Sequence, residues 1–153
     1  MTVRAAQVEM CGEPPRVVDR EPPVPGPGEV LVAVAAVPIT PLDVLCATGA
    51  SYFGVPATPY VPGVQGVGTV DGRAVWFPSS AGMAPGDGGM AGAAIAPATD
   101  LVELPADADP VLVAALGLSA VAAHQAPSTS TCSPAAWSAR PPCSWPGSRA
   151  PAA

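Results

Sequence analysis

Four cysteines, a single histidine and twelve carboxylates are the side chains of this 153-residue sequence most able to do chemistry. Cys11, Cys46, Cys132 and Cys143 show no C-x-x-C spacing, and His124 is the only imidazole, so the tetrahedral donor set of a zinc site cannot be assembled from dedicated ligands. No cysteine has a base or cation beside it in sequence, and each reads as a small buried hydrophobe or an incidental thiol rather than a nucleophile. Ser119 and His124 stand five residues apart on one expected helix, which turns them about 140° from each other and rules them out as a catalytic pair. Asp107 and Asp109 flank a helix start, where negative charge is stabilised without any catalytic purpose.

Two glycine clusters bear on nucleotide chemistry. Gly86-Asp87-Gly88-Gly89-Met90-Ala91 has the letters G-x-G-x-x-A, but that fingerprint works where a strand delivers a tight turn onto a helix N-terminus. Here a Pro-rich loop precedes it and a β-prone segment follows, so no cofactor-binding residue is assigned. Gly63-Val64-Gln65-Gly66-Val67-Gly68 reads as a strand whose glycines allow close backbone packing or a bulge. Neither G-x-S-x-G, H-E-x-x-H nor a P-loop occurs.

The elements that would position these residues are short and mostly extended. Strands are expected over 3–8, 16–19, 64–70, 74–77, 90–95 and 101–103, with 29–37 the strongest, apolar on both faces and therefore central. Thr40 as N-cap, Pro41 at the first helical position and Gly49 as stop predict two helical turns over 41–48. Asp109 and Pro110 open a second helix that runs to about His124. This pattern predicts a mainly β, barrel-like domain with one short and one C-terminal helix over 1–125.

Residues 126–153 differ in kind: they contain no Leu, Ile, Val, Met or Phe and are mostly Ala, Pro, Ser and Thr, with Trp137 and Trp145. Such a tail is expected to be disordered, and its composition is also what an out-of-frame reading of a GC-rich gene would give. The net charge of -6, with no basic run, argues against nucleic-acid binding. The longest apolar run, Val111 to Ala123, is 13 residues, short of a membrane span. No secretory h-region is visible at the N-terminus, so a cytoplasmic location is expected.

Several ordered motifs carry a resemblance. Pro25-Gly26-Pro27-Gly28-Glu29-Val30-Leu31-Val32 is similar to a P-x-x-G-E-V-L-V strand entry, and Thr40-Pro41-Leu42-Asp43 to an N-P-x-D segment. Tyr60-Val61-Pro62-Gly63-Val64-Gln65-Gly66-Val67-Gly68 is similar to P-x-V-P-G-x-E-x-x-G. Gly89-Met90-Ala91, Leu101-Val102-Glu103-Leu104-Pro105 and Ala114-Ala115-Leu116-Gly117-Leu118-Ser119-Ala120 match later landmarks. Together, residues 1–125 resemble the N-terminal GroES-like (alcohol dehydrogenase-like) domain of the medium-chain dehydrogenase/reductase superfamily, nearest its zinc-free quinone oxidoreductase and enone reductase branch.

That resemblance implies a hydride transfer from NADPH to a quinone or enone. Thr40, Tyr52 and Gln65 would then fall in the substrate or nicotinamide cleft; their plain alternatives are an N-cap, a loop packing residue and a polar strand residue. Zinc members hold metal through a Cys at the position of Thr40 and a His at that of Val64, with a Glu at Gln65; none is present here, so no zinc is expected. The doubly wound NADPH domain that follows in the family is replaced here by the Ala/Pro/Ser tail. The chain alone is therefore expected to bind no NADPH and to be inactive, an oxidoreductase fragment. The other reading is a freestanding β-barrel binding module, with self-association through an apolar face that the second domain would cover.

Overall fold

The computed structural model of the protein describes residues 2–125. The tail over 126–153 lies outside the described residues. Strands β1 (Val3–Gln7) and β2 (Arg16–Arg20) form an antiparallel hairpin, and β3 (Glu29–Ala36), β4 (Gln65–Val70), β5 (Arg73–Pro78), β6 (Ala93–Pro97) and β7 (Val102–Glu103) form an antiparallel sheet in the order β6-β3-β4-β5-β7. Helix α1 (Pro41–Thr48) joins β3 to the loop before β4, and α2 (Pro110–Gln125) packs across β3, β4 and β5. The mainly β class with two helices is as the sequence indicates.

β3 is central, between β6 and β4, but only one of its faces is buried. Val32 is fully enclosed with Val75, Phe77, Ala94 and Ala96, and Val30 and Val34 pack beside them. Leu31, on the other face, is 41% exposed. An apolar run marks a strand that could be covered twice; here the alternation of burial along β3 shows one covering layer. A second cluster joins Val8, Tyr60 and Ala81.

The glycines of β4 act as spacers. A Cβ on Gly68 would meet the carbonyl oxygen of Ala33, and one on Gly66 would lie 2.7 Å from the Phe77 ring. Removing both side chains lets β3 and the Phe77 ring close on β4, and the register slips by a bulge between Val34 and Ala36. β4 returns as β5 through Asp71 (φ 48) and Gly72 (φ 79), a two-residue turn with both central residues left-handed, the geometry that Asp-Gly favours in hairpins.

Two expectations shift. β6 begins at Ala93 rather than Met90, because the amides of Gly88, Gly89 and Met90 bond to the carbonyls of Val61, Gly63 and Pro62. The second helix starts under Asp109, whose carboxylate accepts from the amides of Val111 (2.8 Å) and Leu112 (3.3 Å). It is not continuous: Gly117, at φ 26 and ψ -122, breaks it into two segments.

Candidate functional site

Helix α1 is built around a reciprocal cap. Thr40 Oγ1 accepts from the Asp43 amide (3.3 Å), while Asp43 Oδ2 accepts from the Thr40 amide (2.8 Å) and from the Thr40 hydroxyl (2.6 Å). Pro41 occupies the first helical position, where a missing N–H costs nothing. The same carboxylate reaches across the fold. Its Oδ1 accepts from the amides of Gly63 and Val64, both at 3.0 Å. Asp43 is 4% exposed, so four donors converge on one buried carboxylate, and the 40–43 and 62–65 motifs share a corner.

Gln65 stands at the start of β4 and is 3% exposed. Its Oε1 accepts from the indole N–H of Trp76 (3.1 Å) and from the amide of Leu118 (2.9 Å), just past the break in α2. A Cβ on Gly117 would collide with the Gln65 amide group, so the break brings the helix backbone onto that side chain. Tyr52, in the loop after α1, is 79% exposed and stacks on Phe53 with ring centroids 4.3 Å apart.

The three residues expected in the cleft thus have three different surroundings. Thr40 is joined to the backbone beside Gln65 through Asp43, Gln65 itself is covered by α2, and no hydrogen bond among the described residues links Tyr52 to either. A cavity of about 390 Å³ lies elsewhere, between the β1–β2 hairpin, the 78–88 loop and β6. Val3, Ala5, Ser79 and Ile95 line it, and the Arg20–Asp87 ion pair (2.8 Å) closes one side. Asp43 is the residue that sequence reasoning passed over: it was legible as the acid three positions after a Thr cap, but its reach to Gly63 and Val64 was not.

The donor chemistry of this corner does not fit a zinc ion. The Thr40 hydroxyl proton is held by Asp43, Val64 offers no ligand atom, and the Gln65 oxygen already accepts twice. Nor does the 86–91 glycine loop fit a pyrophosphate. The amides of Gly88, Gly89 and Met90 are bonded to backbone carbonyls, and Asp87 accepts from the Val61 amide (2.8 Å) and pairs with Arg20. A phosphate would have to displace those bonds and sit beside a carboxylate.

No family model and no curated protein sequence matches the chain. Solved structures do. A quinone oxidoreductase from Thermus thermophilus, whose structure was also determined with NADPH, is 31% identical with a TM-score of 0.63, covering 70% of this chain and 34% of its own. A mycobacterial quinone oxidoreductase is 25% identical (TM-score 0.68; 80% of this chain, 40% of that one). A thermostable alcohol dehydrogenase from Pyrobaculum aerophilum, with cobalt and zinc bound, is 27% identical (TM-score 0.63; 74% and 44%).

The described body therefore has the fold shared by quinone oxidoreductases and alcohol dehydrogenases. These likenesses, with the motifs above, relate the chain to the medium-chain dehydrogenase/reductase superfamily. The chain spans less than half the length of each of these structures. No helix among the described residues is long and apolar enough to cross a membrane.

Proposed function

We propose that this chain supplies the substrate-side domain of a zinc-free, NADPH-dependent quinone or enone oxidoreductase, in which a doubly wound unit holds the dinucleotide. The observation that carries this reading is the Asp43 clamp. One carboxylate holds together the two motifs, 20 residues apart, in which the family resemblance puts the cleft. NADPH, when bound by such a unit, supplies the hydride.

This chain's own residues contribute position rather than proton transfer. The Thr40 hydroxyl donates to Asp43, so toward a ligand its oxygen is an acceptor. Tyr52 offers an exposed ring and phenol from the loop after α1. For Gln65 to touch a substrate, the part of α2 beyond Gly117 must lift and release the Leu118 amide. A cytoplasmic setting and the absence of nucleic-acid and membrane partners belong to the same reading.

The test is a fluorescence titration of the full chain with NADPH, followed by a quinone titration read from amide shifts at Thr40, Tyr52 and Gln65. No saturable NADPH binding, together with quinone-dependent shifts at those residues, is the expected result. Tight NADPH binding or steady NADPH oxidation by the chain would overturn it.

A second reading has its own observation. Val111, Leu112, Leu116 and Val121 of α2 are each more than half exposed. A freestanding module that self-associates through this apolar surface would bind neither NADPH nor quinone, and the same titrations separate the two.

A further inference from the structure

Three residues along α1 from Asp43, the fold gathers two thiols and a phenol. Cys11 stands in the turn after β1 and Cys46 near the end of α1, 35 residues later, and Cys11 Sγ lies 3.9 Å from the carbonyl oxygen of Cys46. Their backbones are already fastened, because the Gly12 amide donates to the Ala47 carbonyl at 2.9 Å. Cys11 is partly open to solvent and Cys46 is 1% exposed. A Cβ on Gly82 would lie 3.1 Å from Cys46 Sγ and 3.3 Å from the Tyr60 hydroxyl, so the thiol and the phenol face the same space.

Tyr60 is buried, and its hydroxyl has no hydrogen-bond partner among the described residues. Burial above all, then the neighbouring Cys46, Cys11 and Asp43, push that phenol up to about 12. It therefore stays protonated beside the thiols. The sequence offered no partner for either cysteine; the fold brings them together.

We propose that Cys11 and Cys46 form a reversible disulfide driven by hydrogen peroxide, which fastens the turn after β1 to α1. The Cys11 thiol lies against the Cys46 backbone, and the segments that carry the two residues are in hydrogen-bond contact, so the disulfide requires both side chains to rotate toward each other. Cys11, the more open thiol, attacks one peroxide oxygen as its thiolate. The O–O bond breaks, leaving a sulfenic acid on Cys11 and one water that carries the thiol proton. The Cys46 sulfur then attacks the Cys11 sulfur, the S–O bond breaks, and the hydroxyl leaves as a second water with the Cys46 proton. Two thiols are oxidised by two electrons while one peroxide is reduced to two waters. A dithiol reverses the bond by exchange. The oxidised state pins α1 three residues from Asp43, within about one helical turn of the clamp.

The experiment treats the full chain with hydrogen peroxide, alkylates the remaining thiols, and digests with trypsin without reduction. The arginine positions put Cys11 in peptide 5–16 and Cys46 in peptide 21–73. Pro141 blocks cleavage after Arg140, so Cys132 and Cys143 share peptide 74–149. The expected product is 5–16 joined to 21–73, two hydrogens lighter than the pair and released by dithiothreitol. The Cys132→Ser/Cys143→Ser double variant should give the same product. Sulfinic acid on Cys11 without a cross-link, dominant pairing to 74–149, or both thiols recovered alkylated would each overturn the proposal.

Discussion

Asp43 accepts from two buried backbone amides that have no other partner in the bonds described, and from both the amide and hydroxyl of Thr40. Removing it leaves those donors dry. Each buried unsatisfied group costs about 1–3 kcal/mol, so Asp43→Ala should lose about 3 kcal/mol or more in urea unfolding, with Asp43→Asn between it and the parent. Tyr60 makes the opposite case. Its hydroxyl has no partner among the described residues, so Tyr60→Phe should be neutral or stabilising at pH 7. The phenol's value in the fold, about 12, stands above the 10.0 of a free tyrosine. Relative to alkaline pH, the neutral phenol therefore favours the fold fully below pH 10, and that preference is lost as pH rises through 12, by about 2–3 kcal/mol in all. That loss should be missing from the Tyr60→Phe pH profile of unfolding. At this scale the sequence was partly readable. The cap of α1 follows from Thr40, Pro41 and Asp43 alone, whereas the second oxygen of Asp43 finds partners 20 and 21 residues away, which no local spacing encodes.

Among the elements, β4 and α2 depend on glycine for different reasons. Gly68 lies against the β3 backbone, so Gly68→Ala must part β3 from β4, whereas a Cβ at Gly12 meets nothing within 4 Å. Gly12→Ala, strained only by its positive φ, should cost about 1–2 kcal/mol, and Gly68→Ala distinctly more, in the same unfolding assay. In α2, the Gln65 oxygen holds the Leu118 amide and the Trp76 indole together. Gln65→Ala should speed amide exchange beyond Gly117 and shift Trp76 emission to the red, measured with Trp137 and Trp145 replaced by Phe. The start of α2 was legible from Asp109 and Pro110. Its break was not, because Leu116 and Leu118 continue the apolar run on either side of Gly117 and only a contact 53 residues distant explains the distortion. The tight β4–β5 connection follows local turn chemistry, with Asp71 and Gly72 in the two left-handed positions.

On the scale of the whole molecule, the described body buries an apolar interior and leaves several apolar side chains of α2 exposed. The proposed function implies that another folded unit, or a second copy, covers them. Sedimentation velocity of the full chain should show concentration-dependent association, and Leu116→Asp should move the equilibrium toward monomer without lowering the unfolding midpoint by more than a few degrees. The order of strands and helices could be read because each short element is fenced by Pro or Gly. The burial of β3 on one face only could not, since hydrophobicity records what can be covered and not how many layers are present to do it.

The outer rim of β2 has no strand beside it among the described residues. Pro14-Pro15 and Pro22-Pro23 bracket that rim, and Arg16, Asp19 and Arg20 stud it with charge. An incoming extended chain would meet missing donors at both ends and unfavourable desolvation in between. Strand addition under stress should accordingly avoid this rim and fall to the outer strands of the larger sheet, β6 and β7.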